Sequence, residues 1–181
     1  MSDLFTENRE APVASGVWGE EASWEIYLSS QVPPAELCTA VACVAIANAS
    51  KGEVVLTRNQ RGWEILAGHI DEGETPEEAL AREAIEEGGF VITRMMPFCY
   101  REITALGPQA ASGREASYPY PTSYMPYFVA FTDVQIGAFT GIEIIETRTF
   151  TAAERQELLV RGEISKMEHK IIELGLASIA A

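Results

Sequence analysis

Residues 68–90 read GHIDEGETPEEALAREAIEEGGF. The middle of this stretch predicts a helix over 75–88. Thr75 is placed as its N-cap, Pro76 fills the first helical position, and Glu78 completes a capping box with Thr75. Gly88 and Gly89 supply the stop. Leu80, Ala81, Ala84 and Ile85 share an arc of that helix, so this side is expected to pack on a sheet while the glutamates point elsewhere. Glu83, Glu86 and Glu87 stand at i, i+3 and i+4, where like charges cost a helix ~0.2–0.5 kcal/mol per pair. Mg²⁺ takes oxygen ligands and is commonly held by one or two carboxylates together with substrate phosphates. An acidic face that repels itself and is relieved by a dication therefore reads as a metal cradle; a solvated acidic face is the plainer alternative. Arg82 is in reach of Glu86 at i+4, or of Glu83 and Glu74 from the side. The segment from Gly68 to Gly73 allows backbone to approach a ligand closely.

The rest of the chain supplies a sheet. CTAVACVAIANA, from Cys38, is a near-continuous run of small and β-branched residues, as in a strand covered on both faces. EVVLTRN follows a Lys51-Gly52 turn as a second strand, and GWEILAGHI reads as a third. FVITRMMPFCYREITAL and TSYMPYFVAFTD are both strand-like. They flank GPQAASGREASYPYP, Gly107 to Pro121, a connection long enough to be functional or mobile. Capping boxes at Thr151/Glu154 and Ser165/Glu168 start two more helices, the second with Met167, Ile171 and Leu174 on one face. Residues 1–36 read as an N-terminal arm or edge-strand extension, with WEIYLSS (Trp24 to Ser30) as a strand before a Pro33-Pro34 break. Such an arm adds an edge strand, crosses to a partner, or covers the site. Residues 37–181 form the main domain. Irregular alternation of strands and helices predicts an α/β sandwich with a mixed sheet.

Composition narrows the partners. The 181 residues carry 27 acidic against 13 basic side chains, a net charge of −14. Sequence-independent binding along a nucleic-acid backbone needs a basic surface, so the expectation is no nucleic acid and no anionic membrane. A small phosphorylated substrate remains open, bound through local arginines or metal ions. The three cysteines, Cys38, Cys43 and Cys99, have neither zinc nor CxxC spacing. They suit buried positions in a reducing, cytoplasmic setting. No signal peptide or membrane-spanning run is visible at this level.

Gly68, Glu74, Arg82-Glu83, Glu86-Glu87, Gly89 and the apolar Phe90 resemble the Nudix box, Gly-x5-Glu-x7-Arg-Glu-U-x-Glu-Glu-x-Gly-U, at every fixed position. The resemblance extends from about Cys38 to Gly175. It implies an α/β fold, the Nudix-type α/β/α sandwich with a mixed β-sheet. It also implies hydrolysis of a nucleoside diphosphate linked to a group X, with Mg²⁺ or Mn²⁺ and a water nucleophile. Carried over by position, Glu83 and Glu87 become the main metal ligands, Glu86 assists, the carbonyl of Gly68 is a further ligand, and Arg82 orients the catalytic glutamate. The general base in such enzymes is a box glutamate or an acid on a later loop. Residues 143–150, EIIETRTF, resemble the Glu-Ile-x-Glu-x-Arg-Trp-Phe stretch common in the family, which brings Glu143 or Glu146 into question. The candidate catalytic set is Glu83, Arg82, Glu86 and Glu143.

Arg58 and Arg61 are candidates for phosphate, Trp63 for stacking a base, and Tyr120 for contact with a base or sugar. The chain departs from the family at Ile65-Leu66-Ala67-Gly68, where many members read Leu-Pro-Gly-Gly. It departs again at Ala84 and Thr149, which replace larger residues. PYPTS (Pro119 to Ser123) only faintly resembles the NADH pyrophosphatase motif. The resemblance implies a small nucleotide substrate, such as ADP-ribose, a dinucleotide or a nucleotide sugar, and a possible homodimer. The alternatives are a pyrophosphatase that cleans oxidised (d)NTPs such as 8-oxo-dGTP, and a nucleotide-sensing module of the same fold without turnover.

Overall fold

Val41, Cys43 and Ala45 face one side of their strand, Ala42, Val44 and Ile46 the other, and both sets are buried. A strand covered on both faces lies in the middle layer of a sandwich. The computed structural model, which describes residues 9–133 and 144–180, builds that layer from nine strands. They are β1 (Ala14–Trp18), β2 (Ala22–Leu28), β3 (Ala40–Asn48), β4 (Glu53–Asn59), β5 (Gly62–Glu64), β6 (Leu66–His69), β7 (Val91–Ala105), β8 (Thr122–Asp133) and β9 (Glu146–Phe150). The main path runs β1-β2-β7-β8-β3-β4-β5, with β6 paired to β3 and β9 to β4. The β3–β8 pair is parallel and the other pairs antiparallel, so the sheet is mixed.

One face is covered by α1 (Pro76–Glu83), whose Ala79 and Leu80 pack with Val41, Cys43, Val55, Leu66 and Phe128. The opposite face is covered by α2 (Ala152–Arg161) and α3 (Lys166–Ser178). Their Leu158, Ile171 and Ile172 pack with Ala42, Val44, Val54 and Leu56. Gly175 lets α3 approach the sheet, since a Cβ there would lie 2.9 Å from Val44 Cγ2. The architecture is the expected α/β/α sandwich. Among the described residues, no helix is long and apolar enough to cross a membrane. The chain before Pro33-Pro34 supplies two strands: β2 pairs with β7 along its whole length, and β1 pairs with β2 on the outer side.

Two local expectations are corrected. GWEILAGHI is not one strand. It breaks at Ile65 into β5, paired with β4, and β6, paired with β3. The Ser165/Glu168 box is only half formed: Ser165 Oγ accepts from the Glu168 N–H at 3.0 Å. The two departures meet at one hydrogen bond. Instead of turning back to its own N-cap, the Glu168 carboxylate accepts a hydrogen bond from the Ile65 N–H at 3.1 Å. A backbone donor left over where one strand passes to the next is thus satisfied by a helix on the far face.

Burial, with some help from nearby Glu64, pushes the Glu168 carboxyl above the usual carboxylate range. A raised folded-state pKa gives stability that is complete below the ordinary value and lost as pH rises through the raised one. Glu168→Gln keeps an acceptor for Ile65 without the charge. Denaturant midpoints of this variant are expected to be flatter between pH 4 and neutrality, and no lower than wild type at neutral pH. Glu168→Ala strands the Ile65 N–H and is expected to cost about 1–3 kcal/mol.

Candidate active site

Thr75 and Glu78 close a full capping box at the start of α1. Thr75 Oγ1 accepts from the Glu78 N–H at 3.2 Å, and Glu78 Oε2 accepts from the Thr75 N–H at 2.9 Å. The buried ridge of the helix is Pro76, Ala79, Leu80 and Glu83, continuing to Ala84. Leu80 and Ala84 are buried as expected, but the arc is corrected at one position: Ile85 is 57% exposed, whereas Glu83 is only 8% exposed and sits on the core side. The reason is Gly68 on β6. A Cβ at that position would lie 2.1 Å from Glu83 Cδ, so the missing side chain is the space the carboxylate fills.

The helix does not continue regularly to Gly88. Residues Ala84–Gly88 form a π-helical turn, and the Phe90 N–H reaches back to the Ala84 carbonyl at 3.0 Å. Phe90 is buried beside Ala84 in the same core cluster, and a Cβ on Gly88 would lie 2.5 Å from the Phe90 ring. Drawing Phe90 under the helix end widens the last turn. Such π-turns recur at functional sites. Here the turn carries Glu86 and Glu87, so regular i+3 and i+4 geometry does not describe their relation to Glu83. Thr147 Oγ1 on β9 donates to the Glu87 carbonyl at 3.4 Å, tying the turn to the sheet.

Arg82 gathers the acids. Its Nε donates to Glu74 Oε1 at 2.8 Å and its Nη2 to Glu74 Oε2 at 2.9 Å, a two-point grip. Its Nη1 donates to Glu83 Oε1 at 2.8 Å and Glu86 Oε2 at 3.3 Å, and Nη2 also meets the His69 carbonyl at 3.0 Å. The hydrogen bond from Arg82 is the chief reason the Glu74 carboxyl is held at about 2. Asp71 lies 3.8 Å from Arg82 Nη2 on one side and 3.8 Å from Arg114 Nη2 on the other. Arg114 belongs to the Gly107–Pro121 loop, so a chain of charges runs from that loop into the helix.

Among the described residues, no three acid, histidine or cysteine side chains are drawn together around one point as metal ligands. Glu83 and Glu86 converge on Arg82 Nη1 instead. The donor set nonetheless fits a hard divalent cation. Two carboxylates share one guanidinium nitrogen, the buried one is seated against a backbone cradle at Gly68 that a Cβ would fill, and the donors are oxygens.

The structure does not bring every candidate to this helix. Arg58 and Trp63 are direct cross-strand partners on the face that carries α2 and α3, opposite α1. Trp63 is 5% exposed and meets Phe150 edge-on at 4.6 Å, so it is a core residue and no platform for a base. Arg58 lies 3.8 Å from Glu146 and 5.8 Å from the Trp63 ring, so Glu146 is paired with Arg58, while its neighbour Thr147 is the residue of β9 that bonds to the box turn. Arg61 is turned onto Glu64, with Nε donating to Oε1 at 3.2 Å. Glu143 lies outside the described residues. Tyr120 does stand near the box side, at the wall of a cavity that adjoins the loop from Ile70 to Thr75. Sequence reasoning passed over Arg114, the single basic residue among those lining the groove at Ile70–Thr75. Its signal was present: it is the only basic residue in the long loop from Gly107 to Pro121.

Gly68→Ala tests the close approach. The added methyl group displaces the Glu83 carboxylate, and overpacking of this kind costs about 1–3 kcal/mol. Thermal melts are expected to show that loss, while Gly107→Ala, with nothing within 4 Å of its added Cβ, leaves the midpoint nearly unchanged.

A sequence model of the NUDIX domain matches residues 37–162. An RNA pyrophosphohydrolase of Sulfurovum sp. (strain NBC37-1) is 34% identical over 101 residues, covering 55% of this chain and 62% of the relative. The NAD-capped RNA hydrolase NudC of Mycobacterium tuberculosis (strain ATCC 25618 / H37Rv) is 32% identical over 123 residues, covering 67% of this chain and 34% of the relative. The chain thus spans between about a third and two thirds of the length of these curated relatives. Among solved structures, the Bacillus subtilis pyrophosphohydrolase BsRppH superposes with a TM-score of 0.55 at 18% identity, covering 76% of this chain and 77% of its own. The NUDIX domain of Shewanella oneidensis NrtR, complexed with ADP ribose, gives 0.56 at 15% identity, with 78% and 88% covered. At such identities these two show the fold alone. The domain match covers well over half of the chain and contains the whole of α1, its glycine cradle and its arginine hub; the chain belongs to the NUDIX family.

Proposed function

We propose that this chain is a metal-dependent hydrolase of a diphosphate linkage in a nucleoside diphosphate derivative, cleaving NDP-X to a mononucleotide and phosphorylated X. The observation that carries this reading is the Arg82 hub, which holds Glu74, Glu83 and Glu86 around one guanidinium beside the Gly68 cradle. Glu83, Glu86 and Glu87, with the Gly68 carbonyl, are the groups to hold Mg²⁺ or Mn²⁺. Bound there, the cation neutralises the diphosphate and lowers the pKa of a water. The protein's own part is positioning. Arg82 holds Glu83 through one arm of its fork and is itself fixed through the other by Glu74. The catalytic glutamate is sought among Glu83, Glu86 and Glu143.

The exclusion of nucleic acid drawn from net charge is corrected. Two relatives are named for RNA as what they act on. A charge of −14 weighs against contacts along many phosphates, which depend on counterion release. It does not weigh against the end of an RNA chain offered to a metal-binding groove. An RNA end carrying a diphosphate linkage therefore stands among the proposed substrates, beside free nucleotides such as ADP-ribose or a dinucleotide. Three free, buried cysteines support a reducing, cytoplasmic setting. We read residues 1–36 as an edge extension of the 37–181 domain, with β1 and β2 as its strands.

The test is product release with Mg²⁺ or Mn²⁺ from a panel of ADP-ribose, NAD, nucleotide sugars, (d)NTPs and RNA oligonucleotides bearing a 5′ triphosphate or an NAD cap. Cleavage of at least one diphosphate linkage is expected. Glu83→Gln is expected to lower turnover by about 10²-fold or more. Arg82→Lys removes the fork but keeps the charge, and is expected to cost about 10–100-fold, as loss of groups that orient metal ligands does. Absence of cleavage across the panel with either metal would overturn the reading.

A further inference from the structure

A cavity of about 560 Å³ opens where the β1–β2 hairpin meets the Gly107–Pro121 loop. That volume lies within the ~300–1,000 Å³ of small-molecule sites. Its walls are mainly carbon: Trp18 from the hairpin, Ile103 and Ala105 from the end of β7, and Pro108, Tyr120 and Pro121 from the loop. Trp18 and Tyr120 are 45% and 49% exposed, two large rings left half in water. Trp18 has one neighbour in Trp24, with centroids 6.4 Å apart, and another in Arg101, 5.3 Å from its ring. The Tyr120 hydroxyl donates to the Gly107 carbonyl at 3.3 Å, which anchors the ring to the loop.

The lining decides what enters. The cavity's charged lining is Glu20, Glu21 and Glu115, with no lysine or arginine among the lining residues, so phosphate is repelled there. The adjoining groove differs. It shares Thr39, Tyr118 and Pro119 with the cavity and runs along the box segment Ile70–Thr75, with Arg114 beside Asp71. An apolar cavity with aromatic walls and an acidic rim takes a flat ring without negative charge. The groove next to it is acidic too, with Glu36, Asp71, Glu72 and Glu74 around Arg114, but it leads to the box, where the cation proposed above and Arg114 meet the phosphate chain.

We propose that this cavity is a nucleoside subsite built by the hairpin and the loop. The base of the substrate lies against Tyr120 and Trp18, its ribose passes Thr39 and Pro119, and its phosphates run toward Arg114 and Arg82's acids. One wall, from Trp18 to Ala22, lies outside the residues matched by the NUDIX domain. This chain's own N-terminal extension is therefore part of what selects the substrate. The inference rests on the hydrolytic reading for the direction of the phosphates, but not for the binding of the ring.

The experiment uses the full chain and three proteins: wild type, Tyr120→Ala and Tyr120→Phe. Two readouts are taken. The first is hydrolysis of the best ring-bearing substrate against 5-phosphoribosyl diphosphate, which has a diphosphate and no base. Loss of an aromatic stacking partner is expected to raise KM for the ring-bearing compound about tenfold in Tyr120→Ala, with kcat and the ring-less compound little changed. Tyr120→Phe is expected to keep the wild-type KM. The second is titration of adenosine and guanosine against tryptophan fluorescence, in which Trp18 reports from the wall. Quenching in wild type and Tyr120→Phe that is lost in Tyr120→Ala supports the subsite even if no compound is hydrolysed, in which case only the hydrolytic reading fails. Hydrolysis unaffected by Tyr120→Ala, or absence of nucleoside quenching in wild type, overturns the subsite while leaving the hydrolytic reading intact.

Discussion

The Glu83 carboxylate lies in the space that a side chain on Gly68 would occupy, and most of the site follows from that contact. A carboxylate cannot be placed on the core side of a helix without partners, because burial without hydrogen bonds is costly. Arg82, one residue before it, supplies the partner. Its fork reaches Glu83 and Glu86 with one nitrogen while Glu74 holds the other two. The missing side chain at Gly68, the buried acid and the planar guanidinium are mutually dependent. A lysine in place of Arg82 has no fixed fork with which to hold acids on two sides.

The same economy of position appears at the end of the helix. Phe90 belongs to the core under α1, and the backbone reaches it by widening the last turn. That turn moves Glu86 and Glu87 relative to Glu83. The acidic face is therefore shaped by the packing of an apolar residue beyond the helix as much as by helical periodicity. On the other face of the sheet, Glu168 performs a comparable service for the break between β5 and β6. Since β6 carries Gly68, a helix on the far side helps to hold the strand on which the cradle stands.

The charge of the molecule is less informative than its distribution. Acids crowd the box, rim the neighbouring cavity and line the groove at Ile70–Thr75, where Arg114 is the single basic residue among those lining it. An overall excess of negative charge governs encounters with long polyanions. It says little about a phosphate chain end held by a few fixed groups.

The sequence by itself determined the helix of the box, its caps, the covered strand from Cys38 and the acids that surround Arg82. These are local matters: capping, helical spacing and hydrophobic runs are written within a dozen neighbouring residues. It determined the buried side of α1 only in part: Leu80 and Ala84 are buried as expected, but Gly68 opposite Glu83 draws that acid inward while Ile85 stays exposed. It did not tell that Arg58 and Trp63 face away from the box, since a strand's two faces are assigned only when its neighbours are in register. Trp18 and Tyr120 are separated by a hundred residues of chain and meet at one cavity. Only tertiary structure decides such meetings, because they depend on pairing between distant strands and not on any pattern within a single segment.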